Sequence, residues 1–332
     1  MQVLKLGDRY GRVATDLRVS LTDRCNLRCS YCMPAEGLDW LPQDETLTDD
    51  ELVRLIRIGV ERLGIQELRF TGGEPLVRRG LPDLVRRVRE IDAGIDMSMT
   101  TNALGLARTA QALADAGLNR VNVSLDTVRA DTFHAITRRD RLDDVIAGLA
   151  AAEAAGLGPV KVNAVLMRGL NDDQAPELLR WCLDRGYELR FIEQMPLDAQ
   201  HGWQRDGMVT ADEIFAHLER EFTLTPASEP RGSAPAELFV VDGGPATVGV
   251  IASVTRPFCG DCDRVRLTAD GQIRNCLFAR HESDLRAALR DGTSDADIAE
   301  RWVTAVAGKA AGHGIDDEGF LQPDRPMSAI GG

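Results

Sequence analysis

The sequence predicts an α/β fold built on a parallel sheet, and three observations predict it. Short β-type runs recur along the N-terminal part of the 332 residues. Each is followed by a longer stretch whose apolar residues return at three and four, the period of one helix face. Glycines close most of these helical stretches, where a left-handed residue belongs. Alternating strand and helix imply right-handed βαβ units and parallel strands. Six such units suit a partial (β/α)6 barrel. A doubly wound sheet is the alternative, and periodicity alone does not separate them. In both, the loops after the strands carry the chemistry.

The expected strands are residues 17–22, 67–71, 96–101, 120–126, 160–167 and 188–195. The expected helices are 48–63, 81–91, 104–116, 131–155 and 174–185. Thr48 offers an N-cap with Glu51 three residues on, and Gly64, Gly117, Gly156 and Gly186 follow helical runs. The rhythm changes after about Pro226. Residues 225–236, rich in Pro, Ser, Gly and Ala, read as a flexible connection. Beyond it, 237–241 and 247–254 form a hairpin around Gly243-Gly244, 265–268 adds a strand, and Asp270-Gly271 is a turn. Two units are therefore expected, 10–226 and 227–332. The terminal Gly331-Gly332 is a candidate active-site insert, since glycine passes where a side chain cannot. A frayed terminus is the plainer alternative.

A net charge of −13 excludes whole-molecule attraction to nucleic acid or an anionic membrane. An anionic substrate needs a local cationic pocket. The N-terminus has no apolar signal core, and no stretch reaches the length of a membrane span. A cytoplasmic protein with no membrane or nucleic-acid partner is expected.

Seven cysteines is an odd count, against a closed disulfide framework and in favour of metal or catalysis. Cys25, Cys29 and Cys32 lie on the loop after the first strand. Cysteines at i, i+4 and i+7 can wrap three irons of a cubane, leaving the fourth iron open to substrate. Downstream, Gly72-Gly73-Glu74-Pro75 ends the second strand, with glycines that admit a ligand and an acidic acceptor. A second triplet, Cys259, Cys262 and Cys276, suggests another open-iron cluster. Zinc with a distant fourth ligand competes with it. Arg264 and Arg266 share one strand face, with Val265 on the other. Two guanidiniums in a net-acidic chain match phosphate. No Gly-x4-Gly-Lys-Ser/Thr occurs, so a nucleotide here is substrate rather than fuel. Cys182, in an amphipathic helix, reads as a buried small apolar residue.

Cys-x3-Cys-x2-Cys with Tyr31 before its last cysteine, followed by Gly-Gly-Glu-Pro, resembles the radical S-adenosylmethionine superfamily. The fuller set resembles the GTP 3′,8-cyclase (MoaA) family of molybdenum cofactor biosynthesis. It comprises the residues 22–34, 71–75, 100–102, 123–126 and 190–193, the second triplet and the Gly-Gly end. The resemblance spans nearly the whole chain. It implies a partial TIM-type barrel whose mouth a C-terminal α+β extension closes. It also implies two [4Fe-4S] clusters and S-adenosyl-L-methionine. The cluster on Cys25, Cys29 and Cys32 would generate a 5′-deoxyadenosyl radical that takes the ribose 3′ hydrogen of GTP. The product would be (8S)-3′,8-cyclo-7,8-dihydroguanosine 5′-triphosphate.

Carried over by position, S-adenosylmethionine would meet Tyr31, Gly73, Ser124 and Met195. GTP would meet Arg18, Arg69, Thr100, Lys161, Arg190, Arg264, Val265 and Arg266, with Arg18, Arg264 and Arg266 also catalytic. The family often has lysine two residues before the strand arginine, where this chain has Glu67. One phosphate contact fewer is expected, with GTP bound more weakly or the load shifted to Arg18 and Lys161. The implied partners are an external electron donor and the next enzyme, cyclic pyranopterin monophosphate synthase. A homodimer is also possible. Two rivals remain: a peptide-modifying radical enzyme with an auxiliary cluster, and a regulatory protein with two zinc sites.

Overall fold

Alternation along each strand builds the architecture. The structure is a computed structural model that describes residues 3–331. Its first part runs β1 (Asp16–Ser20), α1 (Asp49–Leu63), β2 (Glu67–Thr71), α2 (Leu81–Arg89), β3 (Asp96–Thr101) and α3 (Leu106–Asp115). It continues through β4 (Arg120–Ser124), α4 (Ala130–Thr137), α5 (Leu142–Ala154), β5 (Lys161–Val165), α6 (Ala175–Leu183) and β6 (Glu188–Ile192). Then come α7 (Ala211–Leu218), β7 (Leu224–Pro226), β8 (Glu237–Val241), β9 (Thr247–Ile251), β10 (Arg264–Leu267), β11 (Gln272–Arg274) and β12 (Ser283–Asp284). Helices α8 (Arg286–Arg290), α9 (Asp295–Ala307) and α10 (Met327–Ile330) complete the chain.

One sheet runs in the order β12-β11-β10-β1-β2-β3-β4-β5-β6-β9-β8-β7. From β10 to β9 every pairing is parallel, so the six expected strands are flanked on both edges by strands of the C-terminal region. Residues from all eight of these strands line a single cavity, which identifies a curled sheet, a partial barrel, rather than a doubly wound one. The sheet is continuous across residue 226.

Leu17 and Val19, Leu68 and Phe70, Val121 and Val123, Leu189 and Phe191 are buried against the surrounding helices. The alternate positions face inward and are polar: Arg18, Arg69, Ser98, Asn122, Asn163, Arg190. Aliphatic layers normally fill such a barrel. Here solvated and charged groups do, so the interior remains a lumen.

Thr48 caps α1 through a capping box with Glu51, worth about 1 kcal/mol. Gly64, Gly117, Gly156 and Gly186 all hold positive φ after their helices. The helix expected over 131–155 is two helices. Arg138 leaves α4 left-handed at φ 57°, and its guanidinium donates to the carbonyls of Arg28 (2.7 Å) and Met33 (3.0 Å). Apolar periodicity does not register this break, because the residue causing it serves a distant loop. The connection expected to be flexible begins instead as β7, paired antiparallel with β8. The expected hairpin of β8 and β9 forms. Outside the barrel, Trp302 of α9 is fully buried, 3.6 Å from where a Cβ on Gly59 of α1 would lie. This contact fastens the C-terminal region to the N-terminal one.

Candidate active site in the barrel lumen

The loop after β1 carries Cys25, Cys29 and Cys32, and its backbone is tied down from two sides. Arg28 and Ser30 donate their N–H groups to Thr137 O (3.1 Å) and Ile136 O (2.9 Å), using carbonyls left free at the end of α4. Gly73 and Glu74 donate to Thr22 O (2.7 Å) and Arg24 O (2.8 Å). A Cβ on Gly72 or Gly73 would run into the backbone of residues 22–24. The two glycines therefore admit the cysteine loop itself. Glu74 is fully engaged as well, accepting from Thr101 Oγ1 (2.6 Å), Asn102 N (2.7 Å) and Leu76 N (3.0 Å). Expected as an acceptor, it accepts here from the protein itself and ties the end of β2 to the end of β3. Burial pushes that carboxyl up to about 7 despite its three donors.

Burial pushes the Cys25 thiol up to about 11 and Cys32 to about 12, and it raises Cys29 as well. As free thiols these groups stay protonated, and a bound cation is what would ionise them. Tyr31 donates its hydroxyl to Asp126 (3.0 Å), whose other oxygen accepts from Val165 N. Tyr31 is thus held in the wall of the cavity, with Gly73, Ser124 and Met195 lining the same space.

The second triplet stands beside β10, the parallel neighbour of β1, at the opposite end of the strands from the first. Cys259 and Cys262 flank a short 3-10 turn before β10, and Cys276 follows β11. Cys262 differs from the other thiols. Burial raises it, but Lys309 and Arg264 outweigh that and hold it below the usual range. All six cysteines line one cavity of about 340 Å³.

Between the triplets lies a set of buried cations. Arg18, Arg69, Arg190, Arg264 and Arg266 line the cavity. Burial, then the Arg18 charge, pushes Arg69 down to about 9, and burial also lowers Arg18, Arg190 and Arg266. Their main counter-ion is Asp16, 3.5 Å from Arg18 and 3.8 Å from Arg264. Burial raises its carboxyl, but the surrounding guanidiniums outweigh that and hold it low. The Nε atoms of Arg18, Arg190 and Arg264 are buried without a partner. So many buried charges with so few acceptors call for a polyanion.

Three sequence-predicted positions are placed differently. Lys161 does not line the cavity; its Nζ lies 3.3 Å from Glu188, which also faces Arg190 at 3.7 Å. Val265 is fully buried in the hydrophobic core, so its side chain points away from the lumen and only its backbone can serve GTP. Glu67 lies at the start of β2, 3.8 Å from Arg120, which also pairs with Asp96. Glu67 does not line the cavity. Thr100 lines the cavity. Cys182 is buried, as expected. The tail enters the lumen: Arg266 Nη1 donates to Gly331 O, and a Cβ on Gly331 would strike Thr71 Oγ1. Gly332 lies outside the described residues.

Sequence reasoning missed Asp126 as the Tyr31 anchor. It also missed Lys309, whose ammonium reaches Cys262 Sγ at 3.2 Å. Asp126 ends a motif segment quoted for the family without a role assigned to it, and Lys309 stands in no such segment.

The donor sets fit iron–sulfur clusters. Each triplet presents three free thiols. Among the described residues no three His, Cys, Asp or Glu donors converge as a single zinc ion at about 2.3 Å from sulfur requires. N–H groups point at sulfur in both: Asn102 Nδ2 at 3.8 Å from Cys25 and Lys309 Nζ at Cys262.

Comparison with known proteins agrees with this geometry. A family profile described as the radical SAM superfamily matches residues 19–182, and one described as Molybdenum Cofactor Synthesis C matches 187–315. A GTP 3′,8-cyclase of Streptomyces coelicolor is 67% identical over 326 residues, 98% of this chain and 96% of that protein. Another from Mycolicibacterium smegmatis is 63% identical over 98% of this chain and 92% of its own. One from Corynebacterium glutamicum is 59% identical, covering 98% and 89%. Among solved structures, Streptococcus suis SuiB bound to S-adenosylmethionine superimposes with a TM-score of 0.58 at 15% identity, over 83% of this chain and 64% of that one. SuiB with its precursor peptide gives 0.59 at 14% identity, over 89% and 66%. At such identity the likeness establishes the fold alone. With a lumen built from two cysteine triplets and buried cations, and relatives matched along almost their full length, the chain belongs to the GTP 3′,8-cyclase family of radical S-adenosylmethionine enzymes.

Proposed function

We propose that this lumen is where GTP becomes (8S)-3′,8-cyclo-7,8-dihydroguanosine 5′-triphosphate, the first step of molybdenum cofactor biosynthesis. The activity follows the family. The observation that carries the site is the set of buried arginines, three of them with a partnerless Nε, in one cavity with both cysteine triplets. When bound, a [4Fe-4S] cluster with S-adenosylmethionine on its open iron supplies a 5′-deoxyadenosyl radical that takes the ribose 3′ hydrogen.

The chain's own residues bind, orient and shield. Cys25, Cys29 and Cys32 would hold the radical-generating cluster, and Cys259, Cys262 and Cys276 a second one at the guanine end. Tyr31, Gly73, Ser124 and Met195 would seat S-adenosylmethionine, with Asp126 fixing Tyr31. Arg18, Arg69, Arg190, Arg264 and Arg266 would receive the triphosphate, with Thr100 and the Val265 backbone beside them. Lys161 would join by exchanging Glu188 for phosphate. Helix α10 and Gly331 would close the lumen against water and stray reductants.

The units 10–226 and 227–332 are then functional halves of one sheet, each carrying one triplet. An external one-electron donor and hand-over of the product to cyclic pyranopterin monophosphate synthase complete the reading, with homodimerisation open. Among the described residues no helix is long and apolar enough to cross a membrane, in keeping with a cytoplasmic setting.

The test is anaerobic incubation of reconstituted protein with S-adenosylmethionine, reductant and GTP. The expected result is 5′-deoxyadenosine with a matching amount of a GTP-derived product. 5′-Deoxyadenosine alone would sink the substrate assignment and favour the peptide-modifying alternative.

A further inference from the structure

The two cysteine triplets stand in opposite electrostatic surroundings. Around the first, the ionisable groups bearing on the thiols are chiefly acids, Glu74, Asp126 and Asp198. Arg28 is also near, but its Nη1 is spent on the carbonyls of Cys25 and Leu27, both at 2.7 Å. The N–H groups on the sulfurs there are all neutral: the Asn102 amide at 3.8 Å from Cys25 Sγ, and backbone N–H groups of Asn26 and Leu27 at Cys25 and of Ser328 at Cys32.

Around the second triplet the balance is cationic. Lys309 is 3% exposed, and its ammonium donates to Cys262 O (3.0 Å), Arg264 O (3.0 Å) and Cys262 Sγ (3.2 Å). All three donors of the ammonium are thereby placed, one of them on a thiol sulfur. Arg264 Nη1 lies 3.8 Å from the same sulfur, and Arg12 Nη1 donates to Cys259 O at 2.6 Å.

Reducing a cluster adds one negative charge to it. A buried cation and an N–H bonded to a ligand sulfur both favour the reduced form, and nearby carboxylates oppose it. We infer that Lys309 is a positioning residue that raises the reduction potential of a cluster on Cys259, Cys262 and Cys276 above that of a cluster on Cys25, Cys29 and Cys32. The inference rests on the two-cluster reading. An electron from a one-electron donor therefore comes to rest on the second cluster first.

Electron paramagnetic resonance during a reductive titration tests this on reconstituted protein. The triple variant C25S/C29S/C32S isolates the second cluster, and C259S/C262S/C276S isolates the first. The second should become reduced at the higher potential. Adding Lys309→Met to the first background should shift its midpoint downward by at least a tenfold change in the reduction equilibrium, about 59 mV for one electron. Lys309→Arg, which keeps the charge, should restore most of that shift. A second cluster harder to reduce than the first overturns the inference, as does a Lys309→Met midpoint equal to that of Lys309→Arg. Should Lys309→Met not load iron, the comparison of the two triple variants and of Lys309→Arg decides. If C25S/C29S/C32S binds no iron and sulfide at all, the two-cluster reading itself fails, and the inference with it.

Discussion

Single side chains in this lumen are committed before any substrate arrives. Arg266 is 5% exposed, lines the lumen and is bound to Gly331 O of the tail. Charge-assisted hydrogen bonds of this kind contribute about 1.5–3 kcal/mol. Arg266→Ala should therefore raise the dissociation constant for GTP roughly 10- to 100-fold by calorimetry, with far less effect on guanosine. Equal losses for both ligands would remove Arg266 from the phosphate site. Glu74 makes a separate prediction, for stability. Burial holds its folded carboxyl at about 7 against an ordinary 4.5, so the folded chain binds that proton more tightly than the unfolded one. Its contribution is full below about pH 4.5 and is lost as pH rises through about 7. Glu74→Gln should cost roughly 1–3 kcal/mol, because its amide group meets backbone donors. Relative to that variant, the native chain should lose stability in urea unfolding as pH rises across this window. A pH-independent difference would contradict the buried protonated carboxyl.

Elements carry the site by holding loops, and here sequence and structure part company at identifiable places. The six N-terminal strands and the capped α1 were legible because alternation, the helical period and terminal glycines are local signals. The break at Arg138 was not, because its cause is a pair of carbonyls 110 and 105 residues away. The same holds for Glu74, whose motif reads as ligand-binding while its oxygens serve β3. Arg138→Gly keeps the left-handed exit from α4 and removes only the guanidinium. It should lower the iron content of the first site, read in C259S/C262S/C276S protein, while leaving the second unaffected in the C25S/C29S/C32S protein. Equal iron loss in both would show that Arg138 acts on global stability rather than on the loop.

At the scale of the molecule, an acidic chain encloses a cationic interior. The net charge of −13 argues against whole-molecule attraction to anions, and the lumen arginines supply the local exception that an anionic substrate needs. The cysteine triplets and Arg264/Arg266 were readable from spacing. Their convergence was not, since it depends on β9 and β10 joining opposite edges of the parallel array, a pairing without a local signal. The tail closes this arrangement. Gly331 holds φ 85° against Thr71, so Gly331→Ala should be strained there and should lower turnover without unfolding the chain. Unchanged turnover, measured beside an unchanged melting temperature, would place the tail outside the reaction. The most direct measurement is isotope transfer: anaerobic turnover with GTP deuterated at the ribose 3′ carbon, followed by mass spectrometry of the 5′-deoxyadenosine. One deuterium gained per 5′-deoxyadenosine, matched by a cyclised nucleotide, is the expected result. Unlabelled 5′-deoxyadenosine with GTP recovered intact would contradict the role given to this lumen.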